Sequence, residues 1–246
     1  TNGALLNITG TGSNIRVGNS VNNGTGRLNM YNSTVVLNGT GIAIPYTAGA
    51  TGIVMQIGGL VSNCIIQFSD TGAGTGSYTV KDGTLAPLQI KEDTTAGSSS
   101  IYFDNATLRS YSGAVGSTYF TGLNLARIET GGLTIQASVG ITVGQVLSGP
   151  GALTKTGGGK LTFTGANTYS GNTTINTGTL ALGSGGSINN TPAITIANGA
   201  TFDISVSGFT LGSGKTLACS STSGSGSITG NIVFSSGSLG SFQVNG

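Results

Sequence analysis

The sequence predicts an all-β protein, a β-solenoid wound in coils of about 20 residues. Three observations lead there. Short runs of Val, Ile, Leu, Thr and Phe alternate with polar residues, and no stretch carries helical periodicity. Gly, Asn and Ser break those runs, and they are the residues for which a tight turn costs least. The runs also return at a spacing near 20, which suits stacked coils.

The strands can be read in order. Leu6-Asn7-Ile8, Asn14-Ile15-Arg16-Val17, Val35-Val36-Leu37 and Ile65-Ile66-Gln67-Phe68 come first. Leu133-Thr134-Ile135, Leu161-Thr162-Phe163, Ile194-Thr195-Ile196 and Ile232-Val233-Phe234 follow. Period-2 alternation with β-branched residues puts one side of each run inward. Asn38-Gly39, Gly157-Gly158-Gly159 and Asn198-Gly199 are the expected turns. The repeat spacing comes from particular echoes. Leu6-Asn7-Ile8 returns as Leu28-Asn29-Met30, Leu161 returns as Leu180, and Ile175 returns as Ile196.

One coil cannot stand alone. Its three or four buried aliphatic side chains contribute roughly 1.5–3 kcal/mol each. Ordering its backbone costs roughly 1–2 kcal/mol per residue. Stacking supplies the difference, because each strand then bonds above and below. About eleven or twelve coils at ~4.8 Å spacing would make a rod on the order of 55 Å long.

Composition excludes several alternatives. The 246 residues include 45 Gly, and only 7% are charged. Hydrophobic residues make up 37% and mean hydropathy is +0.20, enough apolar material for an ordered core. No apolar run approaches the ~18 residues of a spanning helix. Net charge is +2, with the cations scattered singly from Arg16 to Lys215, so nucleic-acid binding is not expected. Cys64 and Cys219 are too far apart along a rod to form a disulfide, and both read as small buried hydrophobes. The chain opens on Thr1 with neither Met nor a signal peptide, as expected of a processed product or a segment of a longer chain.

Residues 151–180 resemble the autotransporter-associated β-strand repeat, also called the passenger-associated transport repeat. The resemblance is carried by Leu153-Thr154-Lys155, Gly157-Gly158-Gly159, Leu161-Thr162-Phe163-Thr164-Gly165, Asn167-Thr168-Tyr169, Gly171, Ile175 and Gly178-Thr179-Leu180, in that order. Phe163 stands where the family usually has Leu. Ile101-Tyr102-Phe103-Asp104-Asn105-Ala106-Thr107-Leu108-Arg109 is similar to the segment that often precedes this repeat. The resemblance implies a right-handed parallel β-helix in a secreted or surface-exposed passenger region, where the repeat is thought to aid export. It divides the expected single β-helix 1–246 into degenerate coils (1–99), a repeat region (100–185) and C-terminal coils (186–246). Within the repeat, Leu161 and Phe163 should point inward and both Thr outward. Asn167 and Asn176 should occupy corners, with Tyr169 capping one, its ring packed and its hydroxyl in water.

Chemistry is sparse. Parallel β-helices include polysaccharide lyases and hydrolases, which gather carboxylates on one outward face. The acids here are Asp70, Asp82, Glu92, Asp93, Asp104, Glu129 and Asp203. Asp82, Glu92 and Asp104 recur at related spacing beside Lys81, Lys91 and Arg109, and are expected to be solvated or to form salt bridges that fix register. Without His there is no Ser-His or Cys-His system and no ordinary zinc site. Gly212-Ser213-Gly214-Lys215-Thr216 ends like a phosphate loop, but Phe209 stands where its first Gly belongs. No catalytic, cofactor or metal residue is assigned, and no cofactor is expected.

The expected function is therefore structural and non-enzymatic: an extracellular or cell-surface rod that assembles into a fibre or coat. Uncapped ends support self-association, since neither Ala4-Leu5-Leu6-Asn7-Ile8 nor Ser241-Phe242-Gln243-Val244 offers a covering helix or charged loop. Neighbouring segments of a longer chain are the other expected partner. A carbohydrate- or host-binding module, with Tyr102, Tyr111, Tyr119 and Tyr169 as outward platforms and cell-surface polysaccharide as partner, is the alternative. A polysaccharide-degrading enzyme is the second alternative.

Overall fold

A computed structural model describes residues 5–7, 15–18, 24–38, 41–45, 48–68, 73–93, 97–114, 118–220 and 225–241. They form the expected parallel β-solenoid. Strands pair in parallel with the coil before and the coil after. No helix among the described residues is long and apolar enough to cross a membrane.

Each coil passes through three sheet positions. The first is an eleven-stranded sheet. Its strands are β1 (Leu5–Asn7), β4 (Thr34–Val36), β7 (Leu60–Ser62), β10 (Thr84–Ala86), β13 (Ala106–Ser110), β15 (Leu133–Ala137), β18 (Leu153–Thr156), β20 (Thr173–Ile175), β22 (Ala193–Ala197), β25 (Thr216–Ser220) and β28 (Leu239–Ser241). The second column begins with β2 (Ile15–Arg16), β5 (Gly41–Ile44), β8 (Ile65–Phe68) and β11 (Gln89–Glu92). Phe120 bridges it, through Ile90 and Val143, to β16 (Ile141–Val143), β19 (Lys160–Phe163), β21 (Thr179–Leu182), β23 (Thr201–Asp203) and β26 (Ser227–Thr229).

The third position changes along the molecule. β3 (Thr25–Tyr31), β6 (Thr51–Ile57), β9 (Thr75–Lys81) and β12 (Ser98–Asp104) have seven residues each. The sheet then shrinks through β14 (Leu125–Ile128) to β17 (Leu147–Ser148). The next coil keeps only the bridge Ala166–Ser187, and strands return as β24 (Phe209–Leu211) and β27 (Ile232–Phe234).

Alternation explains the core. Leu133, Ile135 and Ala137 of β15 are buried, and Thr134 and Gln136 between them face out. Leu161 and Phe163 are buried and the two Thr residues face outward, as the repeat implied. The same alternation runs on to Tyr169 without a strand, so Gly165, Asn167 and Tyr169 also point inward. The interior is one continuous column from Val17 to Leu217.

Coil length varies more than the sequence suggested. Leu133 pairs with Leu153, Leu153 with Thr173 and Thr173 with Ile194, steps of 20, 20 and 21 residues. Ile175 does pair with Ile196, and Leu161 with Leu180. Earlier coils are longer: Thr34 pairs with Leu60 and Leu60 with Thr84, steps of 26 and 24. The echo between Leu6-Asn7-Ile8 and Leu28-Asn29-Met30 is not a coil step. Leu6 pairs with Val35, Leu28 lies in the third sheet opposite Val54, and Ile8 is outside the described residues. The two runs share a texture because any half-buried strand alternates in this way.

Turns follow the expected chemistry. Asn32, Asp82 and Asn105 hold φ of 47°, 53° and 49° where the third sheet hands over to the first, and Gly58 takes the same turn at 66°. Only Gly, Asn and Asp accept that left-handed region readily. Asn38 and Gly199 also have positive φ, and Gly39 is outside the described residues. At the opposite corner Gly26, Gly52 and Gly76 stack in register. A Cβ on Gly76 would stand 2.3 Å from the Ile44 carbonyl oxygen, so the corner admits no side chain there.

Candidate functional site

Asp82, Asp104 and Glu129 stack on the corner between the third and first sheets in successive coils, and the other described carboxylates lie elsewhere. Asp82 is a turn residue, and its Oδ1 accepts a bond from Asn105 Nδ2 at 2.8 Å. Asp104, one coil on, pairs with Lys81 at 3.3 Å and accepts the Gly131 N–H. Lys81 and Asp104 are register partners on β9 and β12, so this pair links two coils. Glu92 and Asp93 sit where the second sheet ends. Glu92 Oε2 accepts from Ser99 Oγ at 2.7 Å, its other oxygen is buried without a partner among the described residues, and Asp93 pairs with Lys91 at 2.6 Å. Glu129 pairs with Arg127, and Asp203 with Lys160 across 43 positions of chain. The Lys160 ammonium and the Ser205 hydroxyl hold the Asp203 carboxyl down at about 2. Asp70 is outside the described residues. The spacing of Asp82, Glu92 and Asp104 thus brings Asp82 and Asp104 to one turn and leaves Glu92 at another.

The tyrosines divide. Tyr119 and Tyr169 are buried, which corrects their reading as outward platforms. Tyr169 Oη bonds Thr173 Oγ1 at 2.7 Å, Thr173 donates to Thr191, and Thr191 reaches the Gly171 carbonyl. The hydroxyl expected in water is thus an interior link, and burial raises its pKa. Tyr102 and Tyr111 remain partly exposed. Asn167 is buried at its corner as expected, accepting from Leu147 N–H and donating to the Gly165 and Ser187 carbonyls. Asn176 is exposed at its turn and joins the ladder through its backbone N–H to Lys155.

Lys155 is the residue whose role the sequence concealed. It occupies an inward register position between Ile135 and Ile175 and is fully buried. Its stem fills the hydrophobic column while its Nζ donates to the Thr156, Gly157 and Thr177 carbonyls at 2.8, 2.7 and 3.0 Å. Those bonds use all three ammonium donors. Burial pushes its pKa down to about 8. Lys215, in the sequence like a phosphate loop, also reaches backward, to the Asn189 and Thr191 carbonyls. That stretch is a strand-to-strand turn.

Cys64 is a buried free thiol with its pKa raised by burial to about 12. Cys219 is free but only half-buried, so just one of the two is the buried hydrophobe expected.

A groove of about 430 Å³ lies on the outer side of the eleven-stranded sheet. It crosses four coils, from Ser62 and Asn63 over Ala86 to Arg109, Ser110 and Tyr111, and on to Gln136 and Ser138. The step from Ala106 to Leu133 is 27 residues, longer than the steps on either side. Tyr111 follows β13 directly and reaches back two coils, its hydroxyl donating to Asn63 Oδ1 at 2.6 Å. Asn63 in turn donates to Asn38. Ser110 is buried and its Oγ accepts the Ser138 N–H, fixing the floor. No carboxylate lines the groove.

The comparisons agree with the resemblance read from residues 151–180. Residues 153–182 match the family described as Passenger-associated-transport-repeat. The chain is 40% identical over 84 residues to a protein named "Adhesin BmaC autotransporter" from Brucella suis biovar 1 (strain 1330). That match covers 33% of this chain and 2% of the relative. No solved structure matches. Lys155, Asn167 and Tyr169 therefore lie within the residues that match the passenger-associated-transport-repeat family, in a chain folded as a parallel β-solenoid and similar over 33% of its length to an autotransporter adhesin.

Proposed function

We propose that the chain is part of a surface-displayed or secreted passenger β-helix, with a structural and non-enzymatic role as a rod. One observation carries this reading. Lys155, Asn167, Tyr169 and Thr173, all inside the matched repeat, are buried and bonded to the chain itself. They are used up in building a coil and present nothing to a substrate. Similarity to an autotransporter adhesin supports the surface setting.

Excising one coil in register tests it. Removing 133–152 joins Gly132 to Leu153, which already occupies the same register position as Leu133. The expected variant folds, is displayed in a passenger context as the parent is, and is shorter by ~4.8 Å in solution scattering. Loss of display with the fold retained would overturn the structural role.

Self-association end to end is a second reading, because a parallel ladder can be continued by another copy as it is by another coil. Sedimentation that shifts to larger species with concentration supports this; a concentration-independent monomer rejects it.

A further inference from the structure

We infer that the groove walled by Tyr111 binds an acidic oligosaccharide, with the Arg109 guanidinium receiving its carboxylate. This deepens the surface-passenger reading by naming a ligand class. Arg109 faces out of β13 at the groove, and its register partner Gln136 lines the same wall. Each described carboxylate is already engaged: Asp82 by Asn105, Glu92 by Ser99, Asp93 by Lys91, Asp104 by Lys81, Glu129 by Arg127 and Asp203 by Lys160. None of them pairs with Arg109, which keeps a planar fork of donors for an incoming carboxylate.

The rest of the lining suits a sugar. Tyr111 stands as a ring held by its own hydroxyl bond to Asn63, so little order is lost when a ligand packs on it. Ser62, Ser138 and the Gln136 amide supply short-range hydrogen bonding along the floor. Four coils span roughly 14 Å, the length of a short oligosaccharide. An extended peptide is disfavoured, because β13 already pairs with β10 and β15 and offers no edge for strand addition. A nucleic acid would need several cations where the groove has one.

The test uses the whole chain with two probes, α-1,4-linked trigalacturonate and the neutral trigalactose of the same linkage, followed by calorimetry and saturation-transfer NMR. The acidic probe should bind about tenfold or more tightly than the neutral one. Arg109→Gln should erase that preference, and Tyr111→Ala should weaken both probes. Tyr111→Phe, which keeps the ring but frees it from Asn63, should bind both probes more weakly than the parent and more tightly than Tyr111→Ala. Arg127→Gln, outward on the third sheet, is the charge-matched control, and thermal melts establish that each variant is folded. Equal binding of the two probes, no binding of either, or an equal loss in Arg127→Gln overturns the proposal. Coil excision reads a different property, so failure here leaves the rod standing.

Discussion

The coils between Thr25 and Tyr111 and those between Leu133 and Ile196 enclose the same kind of core by different means. In the long coils the third side of the cross-section is a sheet of seven-residue strands, closed by backbone bonds. In the short repeat coils that side is reduced to the two-residue β17 and then to the bridge Ala166–Ser187. Leu147 still takes backbone N–H groups from Thr168 and Tyr169, but side chains do much of the closing. Asn167 replaces ladder bonds with three of its own, the Tyr169–Thr173–Thr191 chain fills the corner, and Lys155 clamps the next one. A coil can therefore shorten from 26 to 20 residues when buried polar side chains take over from backbone. The consequence is that the short coils should be sensitive at single residues, where the long coils share the load.

Lys155→Ala should break the comparison most severely. It removes both the stem from the core and three bonds, a loss on the order of 3–5 kcal/mol read as a lower denaturant midpoint. Lys155→Met keeps the stem and isolates the amine, at about 1–3 kcal/mol. Asn167→Ala should cost about 1–3 kcal/mol, since it orphans the buried Leu147 N–H, while the Gly165 and Ser187 carbonyls keep the backbone N–H groups of Ser187 and Asn167. Its counterpart in the long coils, Gln56→Ala, breaks the bonds to Tyr78 and the Thr84 carbonyl but leaves the seven-residue ladder intact, so it should cost less. Equal losses at Asn167 and Gln56 would contradict the division of labour. Tyr169→Phe should cost about 1 kcal/mol, with Thr173 left to Thr191.

Alkaline pH should push the two regions in opposite directions. Lys155 has a folded pKa of about 8 against an ordinary 10.5, so between those values the unfolded chain binds more protons and stability rises with pH. Cys64, in the long coils, has a folded value of about 12 against 9.0, so stability falls as pH climbs from 9 towards 12. Denaturant titrations of Lys155→Met and Cys64→Ala should each flatten their own window. The smallest expected effect is in acid. The depressed Asp203 contributes stability that is present above about 3.8 and lost as pH falls to about 2. Lys160→Met should weaken that acid dependence, modestly because the lysine is half exposed.

Much of this was legible beforehand. Strand positions followed from alternation, turns from Asn and Gly, and the repeat from its own residues. Two kinds of error have a physical origin. Tyr169 was expected to keep its hydroxyl in water because a corner is usually a surface. The inward alternation continues past β19, however, and carries it into the core, where Thr173 satisfies the oxygen. Lys155 looked like one more scattered cation, since nothing local marks a lysine that stacks between Ile135 and Ile175. The groove was illegible for a related reason: Asn63 and Tyr111 lie 48 residues apart and meet only when coils stack.

The sequence by itself determined that the chain is all-β, wound in coils, and built from strands with one buried side, because period-2 alternation and turn residues are local properties. Tertiary structure alone decided how long each coil is, which polar groups go inside, and where four coils make a groove. Those depend on register between residues 20 to 50 positions apart, and a shift of one residue would turn each of those side chains to the other face.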